Sequence, residues 1–400
     1  MKHKTLYYGG HIITCNLRNE IAEAIVIEDS KILFVGDYET ARYLVDADTE
    51  VIHIGGRAIT PTFTDAMCAV WGDEESSFAT GKEALEKLWE KGVHDGIACF
   101  CDMGKGGENA ISQAQILLSQ YPLPVRLLLL SADKNTHPVG TLPTCFSACG
   151  IRSGLGNNHC KIGHYLMDVE LPENGEDYSL NTPFAMFLKH LISHGISVEF
   201  KPKNKAEAEY ALWCLFYLNH HAVALSTPKI LLSFPVDESI LHLLSRTKIH
   251  VVLPAHAFSV GWGNGSDFRK NILSFIAKNI PFSFAYYSSE SNSPTPMELL
   301  SQLTCAEDDL AANEFAVPIK ESLQAMTLFG AMGALQEEVF GSLEWGKSAD
   351  LILLSGSPLS LQPSKIKDIV PLRVIVEGRI FYDTLPLPQP SLSVYLETDH

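Results

Sequence analysis

The sequence lacks a continuous run of about 18 apolar residues, which is the length that a helix needs to cross a membrane. Its N-terminal segment also lacks the apolar centre of a signal peptide, so we expect a soluble cytoplasmic protein with no membrane partner. Positive charge is scarce, because 30 lysines and arginines accompany 47 aspartates and glutamates and give a formal net charge of −17. A surface with this balance repels phosphate, so we expect no nucleic-acid partner.

The nine cysteines do not follow the spacing of a zinc finger or of a disulfide framework. Cys99 and Cys101 are two residues apart, and Cys145 and Cys149 are one helical turn apart. We predict reduced and mostly buried thiols, because unpaired cysteine is among the most buried residue types. The sequence also has no Gly-x-Ser-x-Gly elbow, which excludes the usual setting of a serine nucleophile.

What the sequence does contain is enough apolar material for one large domain and a smaller one. The chain has 400 residues, of which 46% are hydrophobic. Single hydrophobic cores stop growing at about 250–300 residues, so a second core is expected. Short apolar runs joined by turns are typical of β-strands, and they occur near both chain ends, at residues 5–54 and 350–382.

The middle of the chain alternates strand patterns with helix patterns, which is typical of an α/β protein with a parallel sheet. Eight strands are predicted, at 58–72, 96–103, 125–131, 161–168, 196–201, 229–234, 250–254 and 281–288. Helices are predicted at 82–91, 110–120, 183–193, 205–218, 238–246 and 268–278. We therefore predict a (β/α)8 TIM-like barrel at 58–339 and a small β-sandwich domain built from both chain ends, 1–57 and 340–400.

Several stretches carry a resemblance to a known family. Pro61, Phe63 and Asp65 match the Pro-Gly-Phe-Ile-Asp-x-His-x-His pattern on the first barrel strand of the amidohydrolase superfamily. Gly341-Ser-Leu-Glu-Trp-Gly-Lys-Ser-Ala-Asp-Leu resembles the superfamily's Gly-Ser-Ile/Leu-x-x-Gly-Lys-x-Ala-Asp-Leu signature. Stretches near 123–127, 154–163 and 366–379 resemble amidohydrolase family 3 most.

The resemblance implies a hydrolase of non-peptide C–N bonds that uses zinc or another divalent metal. Such ions are held by the two strand-one histidines, a lysine on strand four, histidines on strands five and six, and an aspartate on strand eight. Here Met67 and Ala69 occupy the two histidine positions, and strands four, five, six and eight also lack the expected ligand. Zinc requires three or four ligands in one geometry, so we predict a pseudoenzyme with the metal site lost and no cofactor.

The carboxyl ends of the strands should form the mouth of the barrel, where TIM-like barrels place their sites. Alternate residues of a strand share a face, so Asp65 and Met67 are both expected to point into the mouth. The pocket candidates are Asp65, Met67, Cys101, Asp168, Lys201, Ser233, His256, Tyr286, Tyr287 and Ser288. We expect Met67 and one of the two tyrosines to occupy the space of the metal. The expected ligand is a small polar molecule, and the sequence is also compatible with a partner subunit or a homo-oligomer.

Two other interpretations of the site stay open at this point. The first is an active C–N hydrolase, acting on N-acyl amino acids or cyclic amides, with a relocated metal site at the paired cysteines or at His159, Cys160 and His164. The second is a catalytic pair formed by Asp102 and Asp168, although nothing in the sequence brings these carboxylates together. Whether the chain is an enzyme is therefore not decided by sequence.

Overall fold

The structure is a computed structural model that describes ten segments of the chain. These segments are residues 3–68, 78–102, 114–118, 126–129, 152–172, 178–219, 227–260, 266–287, 293–305 and 315–385. Ala69, Ser288, Cys145, Cys149 and most of the helix predicted at 110–120 lie outside them.

The strands fall into one mixed sheet and two parallel sheets. The strands near the chain ends are β1 (Lys4–Ile13), β2 (Ile21–Glu28), β3 (Lys31–Gly36), β4 (Glu50–His53), β5 (Ala58–Pro61), β15 (Leu351–Leu354), β16 (Pro371–Val376) and β17 (Arg379–Asp383). The central strands are β6 (Phe63–Cys68), β7 (Ile97–Asp102), β8 (Arg126–Leu129), β9 (Cys160–Ile162), β10 (Tyr165–Asp168), β11 (Val198–Lys201), β12 (Lys229–Leu231), β13 (His250–Pro254) and β14 (Phe282–Ala285).

The mixed sheet is built from both chain ends. Its order is β17-β16-β15-β5-β1-β2-β3, and β4 also pairs with β1. The contact between the two ends is the antiparallel pairing of β15 with β5, which aligns Leu351 with Pro61 and Leu354 with Ala58. The prediction that both ends form one β structure is confirmed to this extent, whereas a two-sheet sandwich and the domain boundaries remain predictions.

The central strands are parallel and follow chain order. One sheet has the order β6-β7-β8-β9 and the other has the order β10-β11-β12-β13-β14. Each of the eight predicted central strands therefore contains an observed strand, and the fourth is divided into β9 and β10 around Gly163 and His164. No hydrogen-bonded ladder joins the two sheets within the described residues, so the closed barrel stays a prediction.

The first central strand begins later than the sequence pattern predicts. Ala58–Pro61 form β5 of the mixed sheet, and the parallel strand begins only at Phe63. The chain changes partners between these strands, because Thr62 N donates to Asp350 O at 3.2 Å and Phe63 N donates to Gly96 O at 2.9 Å. Pro61 has no N–H to donate, which suits the residue at the end of one ladder.

The helices connect and cover the strands. They are α1 (Tyr38–Arg42), α2 (Phe78–Asp95), α3 (Pro183–Ser193), α4 (Lys205–Asn219), α5 (Glu238–Thr247), α6 (Ala257–Val260), α7 (Ser266–Ala277), α8 (Pro296–Thr304), α9 (Ile319–Met326) and α10 (Leu328–Gly333), with a 3-10 helix at Pro363–Asp368. The helices predicted at 82–91, 183–193, 205–218, 238–246 and 268–278 are confirmed, because α2, α3, α4, α5 and α7 cover these ranges.

Side chains of the helices and of the outer strand faces form the main core, together with Ile352 and Val374 of the mixed sheet. The cysteines within the described residues are all free, and all of them except Cys305 are buried, as predicted. None of the helices in the described segments combines the length and the apolar character that a membrane-spanning helix requires.

Candidate functional site

The first motif lies on β6, whose pairing with β7 is irregular. The register shifts between Asp65 and Cys68, so the residues between them do not alternate as in a regular strand. Ala66 and Met67 both belong to a buried apolar cluster that also contains Val252 of β13 and Ala285 of β14. Met67 is therefore packed against side chains of other central strands, and its neighbours there are apolar.

Asp65 is an acceptor for backbone N–H groups at the carboxyl ends of β6 and β14. Its Oδ1 accepts hydrogen bonds from Met67 N at 3.2 Å and from Tyr286 N at 3.0 Å, and its Oδ2 accepts one from Tyr287 N at 2.9 Å. Burial raises the pKa of Asp65 to about 7, although the three N–H donors act in the opposite direction. The carboxylate thus links β6 to the segment after β14.

The two tyrosines do not share the interior cluster with Met67, contrary to expectation. The Tyr287 hydroxyl donates to Asp95 Oδ2 of α2 at 2.5 Å, and its ring is stacked on Phe100 at 6.3 Å. Tyr286 belongs to the main core and lies 6.4 Å from Phe284, on the face of β14 opposite to Ala285. Both side chains therefore lie outside the apolar cluster that contains Met67.

The interior instead contains a buried ion pair that the sequence did not reveal. Lys229 Nζ lies 2.9 Å from Glu199 Oε2, and both side chains are fully buried. Lys229 Nζ also donates a hydrogen bond at 3.0 Å to the carbonyl of Ala66, which precedes Met67. Glu199 and Lys229 are register partners on β11 and β12. The available signal was an acidic residue between two apolar ones on β11 and a basic residue at the start of the otherwise apolar β12.

Burial and the opposite charge act together on this pair. Burial lowers the pKa of Lys229, but the Glu199 carboxylate and, to a smaller extent, Cys101 and Cys99 together outweigh this effect, so the net change is a raised pKa. Burial raises the pKa of Glu199, and Lys229 opposes that change. An ammonium that is kept protonated in the interior is a fixed positive charge beside the first strand.

A second group of buried polar side chains lies at the amino ends of the central strands. His250 at the start of β13 forms a 2.7 Å hydrogen bond through Nε2 with Ser283 Oγ. His164, just before β10, donates through Nε2 to the Thr227 carbonyl at 2.9 Å. Helix α10 covers this end closely, since a Cβ added to Gly333 would lie 3.1 Å from His250 Nε2. Burial lowers the pKa of both imidazoles, to about 3 for His250.

The remaining pocket candidates lie at or just beyond strand carboxyl ends. Asp168 and Lys201 are register partners and the last residues of β10 and β11. Lys201 is exposed and Asp168 is half-buried. Ser233 is exposed two residues after β12, and His256 is half-buried two residues after β13. Cys101 is buried in β7 within a small cluster that includes Cys99 and Ala331.

Among the described residues, the side chains around Met67 do not fit a divalent ion in the manner of the family. Within the described segments, no three His, Cys, Asp or Glu side chains converge as metal ligands do. Met67 is surrounded by apolar side chains, and the Lys229 ammonium contacts the carbonyl of the preceding residue. The positive charge of Lys229 beside Ala66 opposes the binding of a metal cation there.

The other interpretations of the site receive no geometric support from the described residues. His159 pairs with Glu377 at 3.4 Å, whereas His164 binds the Thr227 carbonyl, so these two histidines serve different partners. Asp102 and Asp168 end strands that belong to different sheets.

Comparison with known proteins agrees with this architecture. A sequence model of the amidohydrolase family matches residues 295–382 of this chain. No curated protein gives a significant match. An uncharacterised metal-dependent hydrolase from Pyrococcus furiosus has a TM-score of 0.69 at 13% identity, with 90% of this chain and 100% of that chain covered. An adenosine deaminase from Xanthomonas campestris with bound zinc has a TM-score of 0.67 at 13% identity, with coverage of 95% and 93%.

The ochratoxinase of Aspergillus niger is a further structure of this kind, with a TM-score of 0.62, 15% identity and 96% of each chain covered. At these identities the similarity concerns the fold. The family match lies in the segment from α8 to β17, and the structural similarity extends over nearly the whole chain. The predicted resemblance of this chain to the amidohydrolase family is therefore confirmed.

Proposed function

We propose that this chain is an amidohydrolase-type protein without metal-dependent hydrolase activity, which binds a small polar molecule at the carboxyl ends of its central strands. The observation that carries the proposal is the surroundings of Met67. The first ligand position of the family is here a thioether packed among Ala66, Val252 and Ala285. A thioether in an apolar cluster does not supply the nitrogen or oxygen donors of a zinc hydrolase.

The proposal includes a closed (β/α)8 barrel made of both parallel sheets. Chain order around the two sheets is continuous from β6 to β14, as a barrel requires. Asp65 of β6 binds the backbone that follows β14, so the first and last central strands are connected by hydrogen bonds. The relatives with similar folds cover almost the full chain, which supports the same closure.

Two charged side chains give the proposed mouth its chemical character. Asp168 and Lys201 lie side by side at the ends of neighbouring strands. Lys201 is two residues beyond Glu199 on the same strand face, so it is directed along the side of the barrel that holds the buried ion pair. An acid and a base in this arrangement suit a small molecule that carries both a hydrogen-bond donor and an acceptor.

The test is the metal content and activity of the protein purified without chelator. We expect zinc, manganese and iron well below one equivalent per chain, and no hydrolysis of N-acyl amino acids or cyclic amides. The Met67→His, Ala69→His double variant should also be inactive, because two histidines supply at most two of the three or four ligands that zinc requires.

The zinc-containing adenosine deaminase from Xanthomonas campestris, purified in parallel, serves as the positive control for metal retention. Near-stoichiometric metal in this chain would overturn the proposal. Hydrolysis by the double variant would show that other ligands exist, and would favour the active hydrolase instead. Binding is tested separately by a thermal-shift screen of small polar molecules on wild type, Asp168→Asn and Lys201→Gln, where both variants should lose the shift.

A further inference from the structure

We infer that the Lys229 ammonium is a built-in cation that connects β6, β11 and β12 and makes the interior of the protein independent of a metal ion. Lys229 lies on β12 and makes two contacts, an ion pair with Glu199 of β11 and a hydrogen bond to the Ala66 carbonyl of β6. These strands are distant in sequence, and one side chain joins them.

The burial of a charged pair costs free energy. An ammonium and a carboxylate that are both removed from water lose their hydration, and only a close partner of opposite charge compensates for this loss. Lys229 and Glu199 are 0% exposed, and 2.9 Å separates their charged atoms. Each group therefore requires the other, and the removal of one leaves an uncompensated charge in the core.

The Lys229 ammonium contacts the irregular part of β6. The Ala66 carbonyl that accepts from Lys229 lies in the irregular part of β6, where the register shifts between Asp65 and Cys68. A shifted strand leaves ladder groups without their regular partners, and the ammonium satisfies one of them. Asp65 holds the same segment from the other side through Met67 N. The geometry of the first motif is thus maintained by two charged side chains of this chain.

Lys229 is not placed to act as a nucleophilic amine. A nucleophilic lysine must lose its proton and reach a bound carbonyl group. The Glu199 carboxylate stabilises the protonated form, and the side chain has no exposed surface. The ammonium is therefore a structural charge, not a reacting group.

The experiment is a double-mutant cycle with Lys229→Met, Glu199→Gln and the combined variant, measured as melting temperatures in excess EDTA. We expect Lys229→Met to lower the melting temperature by about 10 °C, because it leaves Glu199 buried and unpaired. The combined variant should recover most of that loss. Lys278→Met is the matched control, since its ion pair with Glu238 has the same 2.9 Å distance but lies at the surface, and it should shift the melting temperature by about 1 °C.

Equal effects of Lys229→Met and Lys278→Met, or additive losses in the combined variant, would overturn the inference. If Lys229→Met does not fold, Glu199→Gln and the combined variant still decide, because the combined variant must then be the more stable of the two. A wild-type melting temperature that falls in EDTA would also contradict metal independence. The inference rests on the proposed metal-free site, and two measurements distinguish them: metal found in the protein purified without chelator refutes the proposed function, whereas absent coupling in the mutant cycle refutes only the role of Lys229.

Discussion

At the scale of single residues, the interior of this protein is organised by charged and polar side chains that bind each other or the backbone. Asp65 accepts three backbone N–H groups, Lys229 binds Glu199 and a carbonyl, and His250 binds Ser283. Buried polar groups are tolerated when they have such partners. Met67, in contrast, lies in an apolar environment with Ala66, Val252 and Ala285.

The buried histidines should make the free energy of unfolding fall at low pH. Burial and the Lys229 ammonium lower the pKa of His250 to about 3, whereas an unfolded histidine titrates near 6.5. Below pH 6.5 the unfolded chain binds more protons than the folded chain, so stability falls as the pH falls toward 3. We expect a loss of about 2 kcal/mol from His250 by pH 5, measured as the free energy of unfolding in urea.

His250→Gln should reduce this acid sensitivity, while the exposed His242→Gln should leave it unchanged. Part of the sensitivity will remain in His250→Gln, because burial also lowers the pKa of His164. The same acid-induced loss in His250→Gln and in wild type would show that His250 is not responsible.

At the scale of elements, the turns of the mixed sheet determine which strands can pair. The connection from β16 to β17 passes through Glu377 and Gly378, which have φ values of 51° and 73°. Two successive positive φ values are typical of the tight turns that match the twist of a hairpin. Gly378 also lies against β2–β3, since an added Cβ would be 1.7 Å from the Asp29 carbonyl oxygen. This turn therefore packs the C-terminal hairpin onto the N-terminal one.

Gly378→Ala should consequently destabilise the protein much more than the backbone conformation alone predicts. Gly346 is the matched control, because its φ of 81° is similar and an added Cβ has no atom within 4 Å. We expect Gly346→Ala to cost about 1 kcal/mol from strain, and Gly378→Ala to cost about 3 kcal/mol or more from strain and overlap. Equal free energies of unfolding for the two variants would contradict the close contact with Asp29.

At the scale of the whole molecule, the mixed sheet and the parallel sheets share one core. Ile352 of β15 is fully buried and belongs to the same cluster as Phe63 and Phe100 of the central strands. An added Cβ on Gly96 would lie 2.6 Å from Ile352 Cδ1, which shows how closely the loop before β7 approaches the mixed sheet. Residues separated by most of the chain length thus stabilise one another.

Truncation of Ile352 should therefore weaken the molecule as a unit. We expect Ile352→Ala to cost about 2–5 kcal/mol and to shift a single unfolding transition seen by both circular dichroism and proteolysis. Ile380→Ala on β17 is the control, because that side chain is 48% exposed, and it should change stability by less than about 0.5 kcal/mol. Two separate transitions in Ile352→Ala would indicate that the two parts unfold independently.

The sequence by itself determined the secondary structure and the family resemblance. Apolar runs and helical periodicity depend on neighbours along the chain, so the central strands and α3, α4 and α5 were predictable from local pattern. The sequence alone likewise shows that Met67 stands at a histidine position of the family motif and that the family signature begins at Gly341.

Only the tertiary structure decided where the key side chains point. The register of β6 shifts between Asp65 and Cys68, and the Asp65 carboxylate binds the N–H groups of Tyr286 and Tyr287 after β14. The Tyr287 hydroxyl contacts Asp95 of α2 instead of the interior cluster around Met67. Lys229 and Glu199 became partners because β11 and β12 are adjacent, which no local pattern reports. These outcomes depend on bulges and strand pairing, whose energies come from residues distant in sequence.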